Sequence, residues 1–423
     1  MIGGLLPRSR GAGPTATMAA LLKGGAAMQR TFLLLALSAA LACSCRASGD
    51  GAGSRGASAN AGSAASPIQN EASAVEPVFA ITEVASFKEP WALAFLPDGR
   101  LLVTEKRGAL KLVHPGGAIG EVSGVPAVVY AGQGGFGDVA LHPDFAANGL
   151  VYLSYVEGDG GRSGAAVARA KLSFDEHGGG ALSDLQVIWR QEPKMGGSAH
   201  FGHRIVFGGD GKLWISSGER QEFTPAQDMA GNLGKIIRLN DDGSVPADNP
   251  FASRGGVAAQ VWTLGHRNPL GLAFDAKGQL WEIEMGPQGG DELNLIVKGR
   301  NYGWPVVSNG DNYDGTPIPR HDTAPQYEAP KLSWNPVIAP GDLVIYDGSV
   351  FPDWKGNALI AGLKSQALVR VAIDANNRAR EVARYNMGHR IREVAQGPAG
   401  DVWLLEDGDG GRLLRLGEAE SPR

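Results

Sequence analysis

A short motif recurs along the chain from about residue 76: a polar turn containing Gly or Asp, then a run of alternating or continuous apolar residues. Six copies occur, PDGRLLVTE from Pro97, ANGLVYLSY from Ala147, GDGKLWISS from Gly209, AKGQLWEIE from Ala276, KGNALIAGL from Lys355 and AGDVWLLED from Ala399. Their first apolar residues are Leu101, Leu150, Leu213, Leu280, Ala358 and Val402, at intervals of 44 to 78 residues. Apolar runs this short, bounded by turn residues, read as strands. Each interval has room for four strands and their loops, and no stretch longer than ten residues carries a helical period. The pattern therefore predicts an all-β fold, a six-bladed β-propeller of four-stranded antiparallel blades over residues 76–417. Two stacked β-sandwiches are the competing architecture, and the six-fold count argues against them.

The first 75 residues read differently. Met28-Gln29-Arg30 precedes the apolar run Thr31 to Ala42, twelve residues long. A membrane span needs about 20, whereas this length suits the core of an export signal. Residues 1–45 are thus expected to be an over-extended start followed by a signal peptide. Cys43 and Cys45 follow the run directly. Their context resembles the acylation site of bacterial lipoproteins, which would tether the mature chain to a membrane surface; cleavage to an untethered periplasmic protein is the other outcome. Residues 46–75 are rich in Gly, Ala and Ser and nearly free of large apolar side chains, so they read as a flexible linker.

Composition narrows the chemistry. The formal net charge is −5, so no basic surface is on offer for nucleic acid. Glycine contributes 62 residues, about twice the ordinary share of roughly 7%, as a turn-rich β protein requires. Cys43 and Cys45 are the only cysteines, which excludes a disulfide framework and a cysteine-ligated metal in the folded body. No G-x-S-x-G elbow, H-E-x-x-H pair or Gly-rich strand-to-helix loop occurs, so serine hydrolysis, zinc proteolysis and nicotinamide binding lose support.

Polar residues cluster just outside the predicted strands. Arg204, Arg267, Lys364, Arg390 and Arg392 come from four repeats at similar entry or exit positions. In a closed ring these positions converge on one mouth, where a cluster of cations in an acidic chain calls for a small polyanion; guanidinium forks suit carboxylates. The stretch Met285 to Asp291 sets backbone carbonyls in a Gly/Pro turn beside a carboxylate. That is either a calcium site built partly from carbonyls or a tight turn capped by Asp291. His200 is the leading general base, because an imidazole accepts a hydroxyl proton near neutral pH. His203, His266 and His389 share its chemistry.

The motifs GQGGFGDVALHPDF, HFGHRIVF, GHRNPLGLAFD, GPQGGDELNLI, NYGWP and HRIREV, in this order from about residue 80 to 416, resemble the soluble glucose/sorbosone dehydrogenases that use pyrroloquinoline quinone. The resemblance implies a six-bladed propeller with calcium and the quinone in its central channel, oxidising an aldose at C1 to a lactone and passing electrons to an external acceptor. It makes His200 the base and has Arg267 help stabilise the charge that develops on the quinone. Gln133, Arg267, Asn268, Lys364, Arg390 and Arg392 would contact cofactor or sugar, and Arg204 joins them through the cation cluster. Gly286 and Pro287 would give calcium their carbonyls, with Asp291 acting through water; a second calcium would fall near Asp311 or Glu328. Met285 and Leu270 depart from residues common among relatives, and Ala199 and the pair Glu219-Arg220 depart from the glucose-oxidising branch, so the aldose sugar dehydrogenase branch fits better. A calcium-dependent lactonase and a non-catalytic glycan- or protein-binding propeller are the alternatives.

Overall fold

The computed structural model describes residues 74–419; the expected signal peptide, Cys43, Cys45 and most of the expected linker lie outside them. The described chain is all-β, built from four-stranded antiparallel meanders that follow one another in sequence. Six strands begin at Leu101, Leu150, Leu213, Leu280, Ala358 and Val402, the residues picked out by the recurring motif. Each is the second strand of its meander. Leu101–Glu105, Leu213–Ser217, Leu280–Glu284 and Ala358–Gly362 are buried at every position. A strand covered on both faces keeps apolar residues in succession, which is why this one stands out in the sequence.

The first strands are Pro90–Phe95, Phe136–Leu141, Gly202–Phe207, Pro269–Phe274, Pro340–Ile345 and Ile391–Gln396. Each packs against the next, and the last against the first, in a closed ring. Every one has a register shift within its first four residues. Such bulges bend the strand and re-aim the side chains beside them.

The core lies between meanders. Tyr152, Trp189, Ile205 and Ile215 join the second to the third; Trp281, Ile283, Leu343 and Ile360 join the fourth to the fifth. The ring closes through the chain ends: Phe79–Lys88 pairs antiparallel with Asp409–Glu418, from Phe79 opposite Glu418 to Lys88 opposite Asp409. This strand completes the sixth meander.

Two departures from separate four-stranded units appear. Gly180-Ala181 runs parallel to Val122-Ser123 and fuses the first two meanders into one eight-stranded sheet. Ala74-Val75 adds a fifth, parallel strand to the fifth meander. Each link is two residue pairs long.

Candidate active site

A cavity of about 270 Å³ opens inside the ring, at the end where the first strands begin. Its wall follows a positional rule. The second residue of four first strands faces it: Trp91, His203, Leu270 and Arg392. So does the residue just after four second strands: Lys106, Met285, Leu363 and Asp407. Gly137 holds the second position of the second meander, where a Cβ would come within 1.9 Å of the His203 ring. The glycine therefore makes room for that imidazole.

Of the residues expected to bind cofactor, Gln133, Asn268, Arg390 and Arg392 line the cavity. Asn268 is fully buried, and neither its amide nitrogen nor its amide oxygen has a partner. A buried polar group left unpaired costs about 1–3 kcal/mol, so this amide is poised for a polar ligand. Arg390 and Arg392 share Asp407, at 2.8 Å and 2.7 Å. Burial would raise that carboxyl, but the two guanidiniums override it and hold Asp407 below its ordinary value. Lys364 is exposed one residue past Leu363. Lys106, which sequence reasoning missed, lies in the wall and donates to the Gly132 carbonyl at 2.6 Å. Its position directly after a recurring strand was the signal that would have found it.

Arg204 is elsewhere. It is the third residue of its strand, one step beyond the wall, and only 3% exposed. Its guanidinium pairs with Glu393 at 2.5 Å and lies 3.6 Å and 3.5 Å from Asp138 and Asp342. It also donates to the carbonyls of Leu270 and Gly341. With its donors already spent on buried partners, Arg204 is a scaffold residue, and the expectation that it binds cofactor is corrected.

His200 is separated from the other histidines by its surroundings. Its Nδ1 meets Glu219 Oε1 at 2.5 Å. Its backbone N–H donates to Gln133 Oε1 at 2.8 Å. Gln133 and the adjoining Phe201 are both in the cavity wall. Burial pushes the imidazole below its ordinary value; the Glu219 hydrogen bond opposes this, while Arg267 and Arg220 push the same way as burial. A neutral ring with its proton on Nδ1, donated to Glu219, leaves Nε2 as the acceptor. His203 stacks on Trp91 with centroids 4.9 Å apart, and burial pushes it down to about 3, which makes it a poor base. Both nitrogens of His266 are engaged, Nδ1 at 3.2 Å from Glu284 and Nε2 at 2.9 Å from Thr263. His389 is exposed.

Arg267 bridges towards the predicted calcium loop. Its Nη1 donates to the carbonyls of Met285 at 3.0 Å and Gly286 at 2.7 Å, its Nη2 reaches the Tyr313 hydroxyl at 3.2 Å, and its buried Nε has no partner. Asp291 accepts the Gly286 N–H at 2.9 Å and the Ala339 N–H at 2.7 Å. Its carboxylate therefore shapes the loop that presents the carbonyls. A cation at Gly286 would use the second lone pair of a carbonyl that Arg267 already holds, together with the Pro287 carbonyl. Asp311 is paired with Arg320 at 2.8 Å, and Glu328 with Arg300 at 3.3 Å.

Residues 87–415 match the model of the glucose/sorbosone dehydrogenase family. An aldose sugar dehydrogenase of Escherichia coli is 40% identical over 342 residues, covering 79% of this chain and 90% of that protein. Quinoprotein glucose dehydrogenase B of Acinetobacter calcoaceticus is 30% identical over 333 residues, covering 70% of this chain and 66% of that protein. Among solved structures, the pyrroloquinoline quinone-bound aldose sugar dehydrogenase of Streptomyces coelicolor superposes with a TM-score of 0.65 at 29% identity, covering 81% of this chain and 99% of that one.

Proposed function

The chain belongs to the glucose/sorbosone dehydrogenase family, and from that premise we propose that it is a quinoprotein sugar dehydrogenase that oxidises the C1 hydroxyl of aldoses to lactones. The six meanders are read as the blades of a six-bladed propeller with the cavity as its active site. The observation that carries the reading is a buried imidazole, oriented by Glu219, beside a cavity with cationic walls and an unpartnered Asn268 amide.

Pyrroloquinoline quinone, an anionic tricarboxylate, supplies the hydride acceptor when bound. The chain's residues fit it in sign and in the unpartnered Asn268 amide: Gln133, Asn268, Lys364, Arg390 and Arg392 would hold it, with Lys106 added and Arg204 withdrawn. The Gly286 and Pro287 carbonyls hold calcium, in a loop that Asp291 braces. His200 Nε2 accepts the C1 hydroxyl proton, and Glu219 steadies the imidazolium that results. Arg267 places positive charge where negative charge grows. Loss of that proton and the C1 hydride leaves the lactone.

The test is reconstitution: purified protein, quinone with and without calcium, and dye reduction over a panel of aldoses. Reduction that needs both additions supports the reading. Lactone hydrolysis without quinone would replace it. His200→Ala should retain quinone but lose roughly 10²- to 10⁴-fold in kcat, the usual worth of a positioned base. Export and acylation at Cys43 or Cys45 complete the proposal; a serine at each position in turn, read by the mass of the membrane-fraction protein, tests them.

A further inference from the structure

We propose that Arg220 is a positioning residue for the base, a planar clamp that fixes the backbone carrying His200 while its neighbour Glu219 fixes the imidazole. This rests on the reading of His200 as base.

His200 lies at φ +50°, in the left-handed region that side chains other than glycine rarely adopt. Something must hold it there. The segment before it, Met195 to Ala199, belongs to no long strand; its one ladder contact is the bridge between Met195 and Ser163. Arg220 takes up the carbonyls of this segment. Its Nε donates to Ala199 at 2.9 Å, its Nη2 to Gly197 at 2.9 Å and Gly196 at 3.3 Å, and its Nη1 to the Ser163 carbonyl across the bridge. The guanidinium lies 3.8 Å from the centroid of Phe201. Residues 199 and 201 are thus gripped on either side of the base. The Arg220 backbone N–H closes the arrangement on the His200 carbonyl at 3.2 Å.

The fork geometry matters. Four carbonyls accept from the three guanidinium nitrogens while the group lies over the Phe201 ring, and a lysine ammonium cannot reproduce that set of contacts. Arg220 is only 2% exposed and makes no ion pair within 4 Å among the described residues. Its charge is spent on the carbonyls that hold the base in place.

The test uses the full chain, with Arg220→Met and Arg220→Lys beside wild type. The charged groups facing the imidazole are Glu219, Arg267 and Arg220. Removing Arg220 deletes a cation and loosens the burial, and both changes raise the His200 titration point. The expected result has three parts. In the quinone-loaded enzyme, kcat falls about 10- to 100-fold with KM within about threefold, as for a base displaced by an ångström. The acid limb of the kcat–pH profile moves up. The His200 imidazole, followed by NMR in cofactor-free protein, moves up with it, less in Arg220→Lys than in Arg220→Met. If Arg220→Met does not fold, Arg220→Lys carries the test alone.

An imidazole titration unchanged in the variants overturns the clamp, as does a loss confined to KM or quinone affinity. Failure of wild type to oxidise any aldose would instead sink the proposed reaction, and the NMR titration would still decide the role of Arg220.

Discussion

The second and third residues of the six first strands lie one step apart and form two rings of opposite character. Trp91, Gly137, His203, Leu270, Gly341 and Arg392 make the upper ring, where large side chains face the cavity, Gly137 leaves room for the His203 ring and Gly341 for the Arg392 backbone. Ala92, Asp138, Arg204, Gly271, Asp342 and Glu393 make the lower ring, three carboxylates around one guanidinium. Its charged members line a separate hollow of about 440 Å³. The two rings touch where Arg204 lies 4.1 Å from the centroid of Trp91. Arginine in the upper ring keeps one face to the cavity; arginine one residue further along is consumed by the scaffold. Residue type and approximate position are the same, and the difference lies in which way the pleat points.

The sharpest way to break this comparison is to remove the lower arginine. Arg204→Met leaves three buried carboxylates without their cation, and breaking a buried ion pair by deleting one partner costs about 3–5 kcal/mol. Chemical denaturation of the cofactor-free protein should show a loss of that size. A variant with wild-type stability and weakened quinone binding would return Arg204 to the cavity and erase the distinction between the rings.

This case also marks how far the sequence could be read. The second strands were legible to the residue because burial on both faces favours a short, mostly apolar run directly after a turn. The first strands were not, since Gly202-His203-Arg204 and Ile391-Arg392-Glu393 interrupt their apolar pattern with the residues that build the two rings. A bulge in each first strand removes the simple alternation that would tell second from third position. Arg204 and Arg392 therefore looked equivalent. His200 and its partner were half legible: the histidine by its motif, Glu219 only as a departure from relatives, because nothing in a spacing of 19 residues announces a 2.5 Å contact. Lys106 was missed because a lysine after a strand is ordinarily a solvated one.

The rings should also separate by pH. Burial pushes Asp342 up to about 7, with Asp138 adding to it and Arg204 opposing. Between an unfolded value of about 4 and that point, the folded state binds more protons than the unfolded one, so this group's stability contribution falls as pH rises. Burial and the Arg204 charge push His203 down to about 3. Between that point and an unfolded value of about 6.5, the unfolded state binds more protons, so the His203 contribution rises with pH. From pH 4.5 to 6 the rings pull in opposite directions, each by up to about 1.4 kcal/mol per pH unit. Asp342→Asn should make the stability–pH slope more positive over this range, and His203→Gln should make it more negative. Denaturation midpoints at three pH values are enough to read both signs; a shared sign would mean that the rings are electrostatically one unit.

The smallest effect tests the rim above the upper ring. Lys364 is exposed and makes no side-chain hydrogen bond or ion pair within 4 Å among the described residues, so nothing in the cofactor-free fold depends on it. Arg392, by contrast, is already held by Asp407 at 2.7 Å, and a ligand must share it with that carboxylate. A free ammonium breaks no bond on meeting an anion but gives up its rotamer freedom, up to about 2 kcal/mol, against a charge-assisted hydrogen bond of about 1.5–3 kcal/mol. Lys364→Met should therefore leave the thermal midpoint of the cofactor-free protein unchanged and weaken quinone affinity by about tenfold at most. Arg392→Met should move both. Equal stability losses would show that the rim is as much scaffold as the ring beneath it. An unchanged affinity in Lys364→Met would remove Lys364 from the cofactor site and leave Lys106 as the cavity's lysine.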